Sequence, residues 1–325
     1  LAAAPARLYT IGAAAPFVQT WDARMGQAGE PLRTGREDGL TALAVTLDGG
    51  LIAAGDTGGY VHLWTDPAAL PTASFPAHTG AVSALTFENT GRLLVTGGVD
   101  GAVLLLHLDD LSTLRTLVEE PAQISALAFA PTGDQIAYSD TDGGVTLQPL
   151  IDGEPADPTR LSAQESELAT LAFSPDGSLL AAGGLDGVVR LWDLRRPARP
   201  PQRWNAHPNE VNTVLFGVDR DHLLTTSADY TVRLWNLADV LKTPVILRGH
   251  RASVNDVVYV EQTAYTLSTD GTIRRWLLAP GDLTGRACAV AGRNLYSDEW
   301  ARYFPETPCE PTCAALPDRC GQQAP

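Results

Sequence analysis

One unit recurs along this chain, and its period limits what the chain can fold into. Its clearest copy is LAFSPDGSLLAAGGLDGVVRLWDL, from Leu171 to Leu194. VLFGVDRDHLLTTSADYTVRLWNL follows from Val214 to Leu237, and related stretches begin at Ala84 and Ala126. Each copy holds three short apolar runs separated by Gly and Asp, and a weaker fourth run such as Val245–Leu247 comes after it. Runs of this length, rich in β-branched residues and bounded by turn formers, predict strands and not helices.

The third run ends at Trp21, Trp64, Leu106, Gln148, Trp192, Trp235 and Trp276 in successive units, at spacings of 43, 42, 42, 44, 43 and 41 residues. Four strands per unit at this period predict a β-propeller. One four-stranded sheet cannot cover both of its own faces, and radial stacking buries them against neighbours. Runs such as LAVTL and ALAFA, apolar on both sides, fit that arrangement. The predicted fold is all-β, with seven blades of four antiparallel strands over residues 1–280 and a short helical, cysteine-bearing tail over 281–325. LAAAPARLYTIGA aligns with LAFSPDGSLLAAG, so Leu1 falls inside the first strand of blade 1. The expectation is that the last blade lacks its outer strand and that the region comes from a longer parent.

The residues around these strands resemble the WD-repeat family, which places Gly-His before the first strand, Asp between the second and third, and Trp-Asp at the third strand's end. His207, Thr225, Asp229 and Trp235 make one full set, and His250, Thr266, Asp270 and Trp276 another, with Gly249 before the histidine. The resemblance implies a hydrogen-bonded chain from indole through hydroxyl and imidazole to carboxylate. Such a chain satisfies several buried polar groups together. Other units are partial. His78, Thr96 and Asp100 precede Leu106; Asp186 and Trp192 occur with Gln164 in place of His; one unit keeps only Asp142; and Gly58 replaces the Asp before Trp64. A His–Thr–Asp set could also be read as hydrolytic, but a set repeated on successive blades marks a structural network.

No phosphate-binding loop, GxSxG elbow or HExxH motif occurs, the six histidines are scattered, and no metal or cofactor is expected. The chain carries 38 acidic against 23 basic residues, a net charge of −15 that repels phosphate backbones and argues against nucleic acid. No apolar run is long enough to span a membrane. Function is therefore expected at the rim shared by the fourth-to-first-strand loops and the second-to-third-strand turns. Arg36, Glu37, Asp38, Glu119, Glu120, Glu165, Glu167, Asn209, Glu210 and Arg251 fall in the loops, and Asp56, Leu185, Tyr230 and Thr269 in the turns. This acidic rim suits a basic or mixed polypeptide partner.

Beyond Trp276 the pattern changes. Leu283–Val290 and Asp298–Phe304 have helical spacing, with Ser297 as N-cap. Leu295, Trp300, Tyr303 and Phe304 are expected to pack on the propeller. Ala287-Cys288, Ala291–Leu295, Glu299-Trp300, Tyr303 and Thr312-Cys313 resemble the tail of multidomain bacterial WD-repeat proteins that carry a STAND-type NTPase or another effector module. The resemblance implies a sensor or scaffold attached to an upstream effector. It also favours Cys288 with Cys313, leaving Cys309 with Cys320, as disulfide pairs in an oxidising compartment; free thiols are the alternative. Localisation stays open between the cytoplasm and the outer face of a bacterial membrane. The competing functional reading is an exported stand-alone propeller that binds or hydrolyses a small ligand in its central channel.

Overall fold

The computed structural model describes residues 1–278 apart from 5, 13–14, 66–69, 110–113, 152, 163–165, 218–219 and 261–262, together with Asn294, Tyr296, Ser297, Pro317, Arg319, Cys320 and Gln322. Seven antiparallel sheets follow one another along the chain. Blade 1 is β1 (Ala2–Ala4), β2 (Arg7–Ile11), β3 (Phe17–Asp22) and β4 (Leu32–Arg33); blade 2 is β5 (Leu40–Val45), β6 (Leu51–Asp56), β7 (Tyr60–Thr65) and β8 (Ala73–Pro76). Blade 3 is β9 (Val82–Phe87), β10 (Leu93–Gly98), β11 (Ala102–His107) and β12 (Leu114–Glu119). Blade 4 is β13 (Ile124–Phe129), β14 (Gln135–Asp140) and β15 (Val145–Ile151), with its outer edge split into β16 (Glu154–Pro155) and β17 (Thr159–Ser162), both paired with β15. Blade 5 is β18 (Leu168–Phe173), β19 (Leu179–Gly184), β20 (Val188–Asp193) and β21 (Gln202–Asn205). Blade 6 is β22 (Val211–Phe216), β23 (His222–Ser227), β24 (Thr231–Asn236) and β25 (Val245–Arg248). Among the described residues blade 7 has three strands, β26 (Val254–Val260), β27 (Thr263–Ser268) and β28 (Ile273–Leu277).

By its contacts the chain separates into a unit of Leu1–Glu261 with Tyr265–Arg274 and a second unit of Gln262–Ala264 with Arg275–Pro325. In the first unit the apolar clusters lie between blades, which is what sheets apolar on both faces require. Ala128, Ala137 and Leu147 of blade 4 meet Leu171, Leu180 and Trp192 of blade 5. Ala181 and Leu191 of blade 5 meet Val214, Leu223 and Trp235 of blade 6. Blade 1 closes onto blade 7 in the same way: Leu8 and Ala23 pack with Val260 and Tyr265, and the Tyr265 hydroxyl donates to the Ala23 carbonyl at 2.8 Å in a buried setting.

Each first strand of blades 2 to 6 carries one extra residue at its start, at Thr41, Ser83, Ser125, Ala169 and Asn212. A bulge frees backbone groups that need new partners. Polar side chains at these positions supply them: Thr41 Oγ1 donates to the Val82 carbonyl at 2.6 Å, Ser83 Oγ to Gly97 at 3.0 Å, and Asn212 Nδ2 to Val254 at 2.9 Å. The first and third of these bonds also tie one blade to the next.

In the second unit Asn294, Tyr296 and Ser297 are held to Pro317, Arg319 and Gln322. Asn294 Nδ2 donates to the Pro317 carbonyl at 3.0 Å, the Ser297 amide to Gln322 at 2.9 Å, and Arg319 lies 4.9 Å over the Tyr296 ring. The expected helices, the packing of Leu295, Trp300, Tyr303 and Phe304, and Cys288, Cys309 and Cys313 with both proposed pairings lie outside the described residues. Among the described residues no helix is long and apolar enough to cross a membrane.

Candidate functional site

A shared rim follows from one repeated hydrogen bond. In blades 2 to 7 the amide after the second strand donates to a carbonyl just before the first strand: Thr57 to Gly39, Val99 to Ala81, Thr141 to Gln123, Leu185 to Glu167, Ala228 to Glu210 and Thr269 to Ser253, at 2.9–3.2 Å. Each turn between second and third strands is thus stapled to the loop that enters its own blade, and both loop classes come to one edge of the sheets.

Carboxylates organise these turns. Asp100, Asp186, Asp229 and Asp270 each accept the amide two residues on, from Ala102, Val188, Thr231 and Thr272 at 2.9–3.2 Å. Burial alone would raise Asp229, but hydrogen bonds from Thr231 and His207 outweigh it and hold the carboxyl below its ordinary 3.8.

The predicted networks run inward from these aspartates. His207 Nδ1 meets Asp229 at 2.9 Å, His207 Nε2 meets Thr225 Oγ1 at 2.7 Å, and Trp235 Nε1 donates to the same oxygen at 3.0 Å. One direction satisfies every group: indole N–H to hydroxyl oxygen, hydroxyl to Nε2, and Nδ1–H to carboxylate. Burial pushes His207 below its ordinary 6.5 against the pull of Asp229, so the ring is neutral. His250 meets Asp270 at 3.0 Å and Thr266 at 2.8 Å, and His78 meets Asp100 and Thr96, each at 2.9 Å. Trp276 lies in β28, within the second unit.

Three arrangements escape the repeat pattern. Trp21 Nε1 donates to Thr10 Oγ1 at 3.0 Å; Thr10 pairs with Gln19, two before the tryptophan, just as Thr225 pairs with Arg233. In blade 2, Ser74 Oγ meets His62 Nδ1 at 2.9 Å, and His62 Nε2 meets Asp56 Oδ2 at 3.1 Å. Both His62 and Asp56 are fully buried, whereas Ser74 is exposed. Arg36 adds an ion pair to Asp56 at 3.3 Å and stacks 3.8 Å over Tyr60. Asp56 is therefore a buried anchor and not the exposed rim residue that its turn position predicts. In blade 4, Asp140 pairs with Arg160 at 3.2 Å.

Arg36 on the rim, and Arg190 and Arg233 beneath it, are neutralised by their own blades. Arg36 pairs with Asp38 at 2.7 Å, Arg190 with Asp186 at 2.7 Å, and Arg233 with Asp229 at 3.0 Å. Glu37, Glu119 and Glu210 are exposed, as are Asn209 and Arg251, and Glu167 is half-buried. Glu120 is only half-exposed and accepts from the Tyr138 hydroxyl at 3.0 Å, so its carboxylate is part of the blade. Glu165 lies outside the described residues.

The sequence model of the WD domain, G-beta repeat family matches residues 70–105, 158–193 and 198–236. Three stretches of the chain thus match WD repeats. The second and third matches end with the third strands of blades 5 and 6, and the first ends within the third strand of blade 3. The chain is also similar to a periodic tryptophan protein 2 homolog of Caenorhabditis elegans, 33% identical over 86 residues. That match covers 26% of this chain and 10% of the relative, so the chain aligns with a small part of it. A WD-repeat propeller of this kind points to a protein-interaction scaffold.

Proposed function

We propose that this region is a non-catalytic scaffold or sensor whose rim receives a basic polypeptide segment. The observation that carries the reading is the charge asymmetry of that rim. Arg36, Arg190 and Arg233 are committed to Asp38, Asp186 and Asp229, whereas Glu37, Glu119 and Glu210 make no ion pair among the described residues. A partner therefore meets net negative charge, offset by Arg251 at the edge of blade 7. The tail resemblance supports a larger bacterial signalling or defence protein as the parent, with this region as its sensing part and an effector module upstream.

Hydrolysis in the central channel receives less support. The serine of the Ser74–His62–Asp56 chain sits on β8, the outermost strand of blade 2. The experiment is fluorescence anisotropy with a labelled nonapeptide, Arg-Leu-Arg flanked by Gly and Ser, at physiological salt. Reversing Glu37, Glu119 and Glu210 to Lys should weaken binding at least about ten-fold. Unchanged binding would contradict the reading.

A further inference from the structure

At one structural position the third residue of the turn between second and third strands is Gly59, Gly101, Gly143, Gly187 or Gly271, with φ between 77° and 85°. At three of these sites crowding also demands it: a Cβ on Gly59, Gly101 or Gly187 would stand 2.1, 2.0 or 2.3 Å from the carbonyl oxygen of His78, Glu120 or His207, whereas a Cβ on Gly271 would meet nothing within 4 Å, so there the backbone angle alone favours glycine. In blade 6 the same position is Tyr230, at φ 71°. A bulky residue in the left-handed region is an outlier, and folding alone would select glycine there. The ring returns little to the fold, since Tyr230 is 51% exposed. Backbone strain held at an exposed aromatic is an observation from which function can be argued.

The surroundings define what the ring can take. The amide of Ala228, two residues earlier, is stapled to the carbonyl of Glu210, whose side chain is exposed. Leu185, the turn residue of neighbouring blade 5, is 39% exposed. Arg233 and Arg190 below these turns are held by Asp229 and Asp186. An exposed aromatic ring, an exposed carboxylate in the loop stapled to its turn and an exposed leucine on the adjoining blade's turn suit a peptide that offers a guanidinium and an aliphatic side chain.

We infer that Tyr230 is the anchor of the rim, a residue retained at the expense of fold stability to stack against an arginine side chain of a bound polypeptide. The inference rests on the rim reading above and adds its specificity.

The test uses the whole chain and the Arg-Leu-Arg peptide beside its citrulline counterpart, which keeps shape and loses charge. Wild type should bind the arginine form at least about five-fold tighter, and Tyr230→Phe should keep that preference. Tyr230→Gly should lose the preference while melting higher by about 2–4 °C, because the strain is gone. A merely structural tyrosine would not give a more stable variant that binds worse. If Tyr230→Gly binds as wild type while reversal of Glu37, Glu119 and Glu210 abolishes binding, the anchor is refuted and the rim reading stands. If wild type ignores charge on the peptide, both are refuted. A Tyr230→Gly chain that melts no higher refutes the strain argument.

Discussion

Replacing Thr225 by Val keeps the shape of a fully buried side chain and deletes one oxygen. That oxygen accepts from Trp235 Nε1 at 3.0 Å and contacts His207 Nε2 at 2.7 Å. Neither partner has water to turn to, since Trp235 and His207 are each 4% exposed. Stranding a buried donor or acceptor costs about 1–3 kcal/mol, and the two losses share one network and do not simply add. The expected cost is about 2–4 kcal/mol, a fall in Tm of about 3–6 °C for a chain of this length. The converse experiment lies one blade away. Trp192 Nε1 is buried with no partner among the described residues, and Ala182 occupies the place of Thr225, paired with Arg190 two before Trp192. Ala182→Thr offers that indole an acceptor and should stabilise by up to about 1 kcal/mol, less any crowding from the added methyl. Urea melts of both variants at unchanged m-value measure the two quantities. A neutral Thr225→Val, or an Ala182→Thr that costs as much as Thr225→Val, would refute the claim that hydroxyl-to-indole bonding contributes to blade stability.

Acid should weaken the fold in two steps. Burial holds His62 and His207 below their ordinary 6.5, so the unfolded chain takes up their protons first, and stability falls as pH drops below 6.5. Asp100, Asp186 and Asp229 lie below 3.8, so a second loss follows beneath that pH; His207→Gln should reduce the first step most, with a smaller change in the second because His207 also bonds Asp229, measured as stability against pH. Burial and the nearby Glu120 push Tyr138 up to about 12, so ultraviolet titration of Glu120→Gln should show one tyrosine ionising earlier than in wild type. Although Ser74 is exposed and bonded to His62, a fluorophosphonate probe should label it no faster in wild type than in His62→Gln; faster labelling would contradict the non-catalytic reading. Gly101→Ala should destabilise by about 2–4 kcal/mol in thermal melts, since it combines φ 80° with a Cβ 2.0 Å from a carbonyl oxygen.

The blade count was readable because the markers are tied to register. Trp21, Trp64, Leu106, Gln148, Trp192, Trp235 and Trp276 all fall in third strands, and the last blade has three strands among the described residues. What stayed hidden had moved off the repeat positions. Thr10 is 11 residues before Trp21, whereas Thr225 is 10 before Trp235, so a fixed offset misses it and only strand pairing aligns them. Asp56 stands two residues ahead of the place where Asp is expected, and its partner His62 lies in the middle of a third strand that reads as apolar. Exposed and committed carboxylates look alike in a sequence; Glu119 and Glu120 are adjacent, yet only Glu120 is taken up by Tyr138. Tyr230 was legible as a rim residue, but its significance depends on φ, which no composition reveals.

Hydrogen exchange with and without the arginine peptide tests the central claim most directly. Binding at the rim should slow exchange at the turns 57–59, 99–101, 185–187 and 228–230 and leave the outer strands Ala73–Pro76 and Gln202–Asn205 unchanged. Protection confined to those outer strands, with none at the turns, would contradict the account.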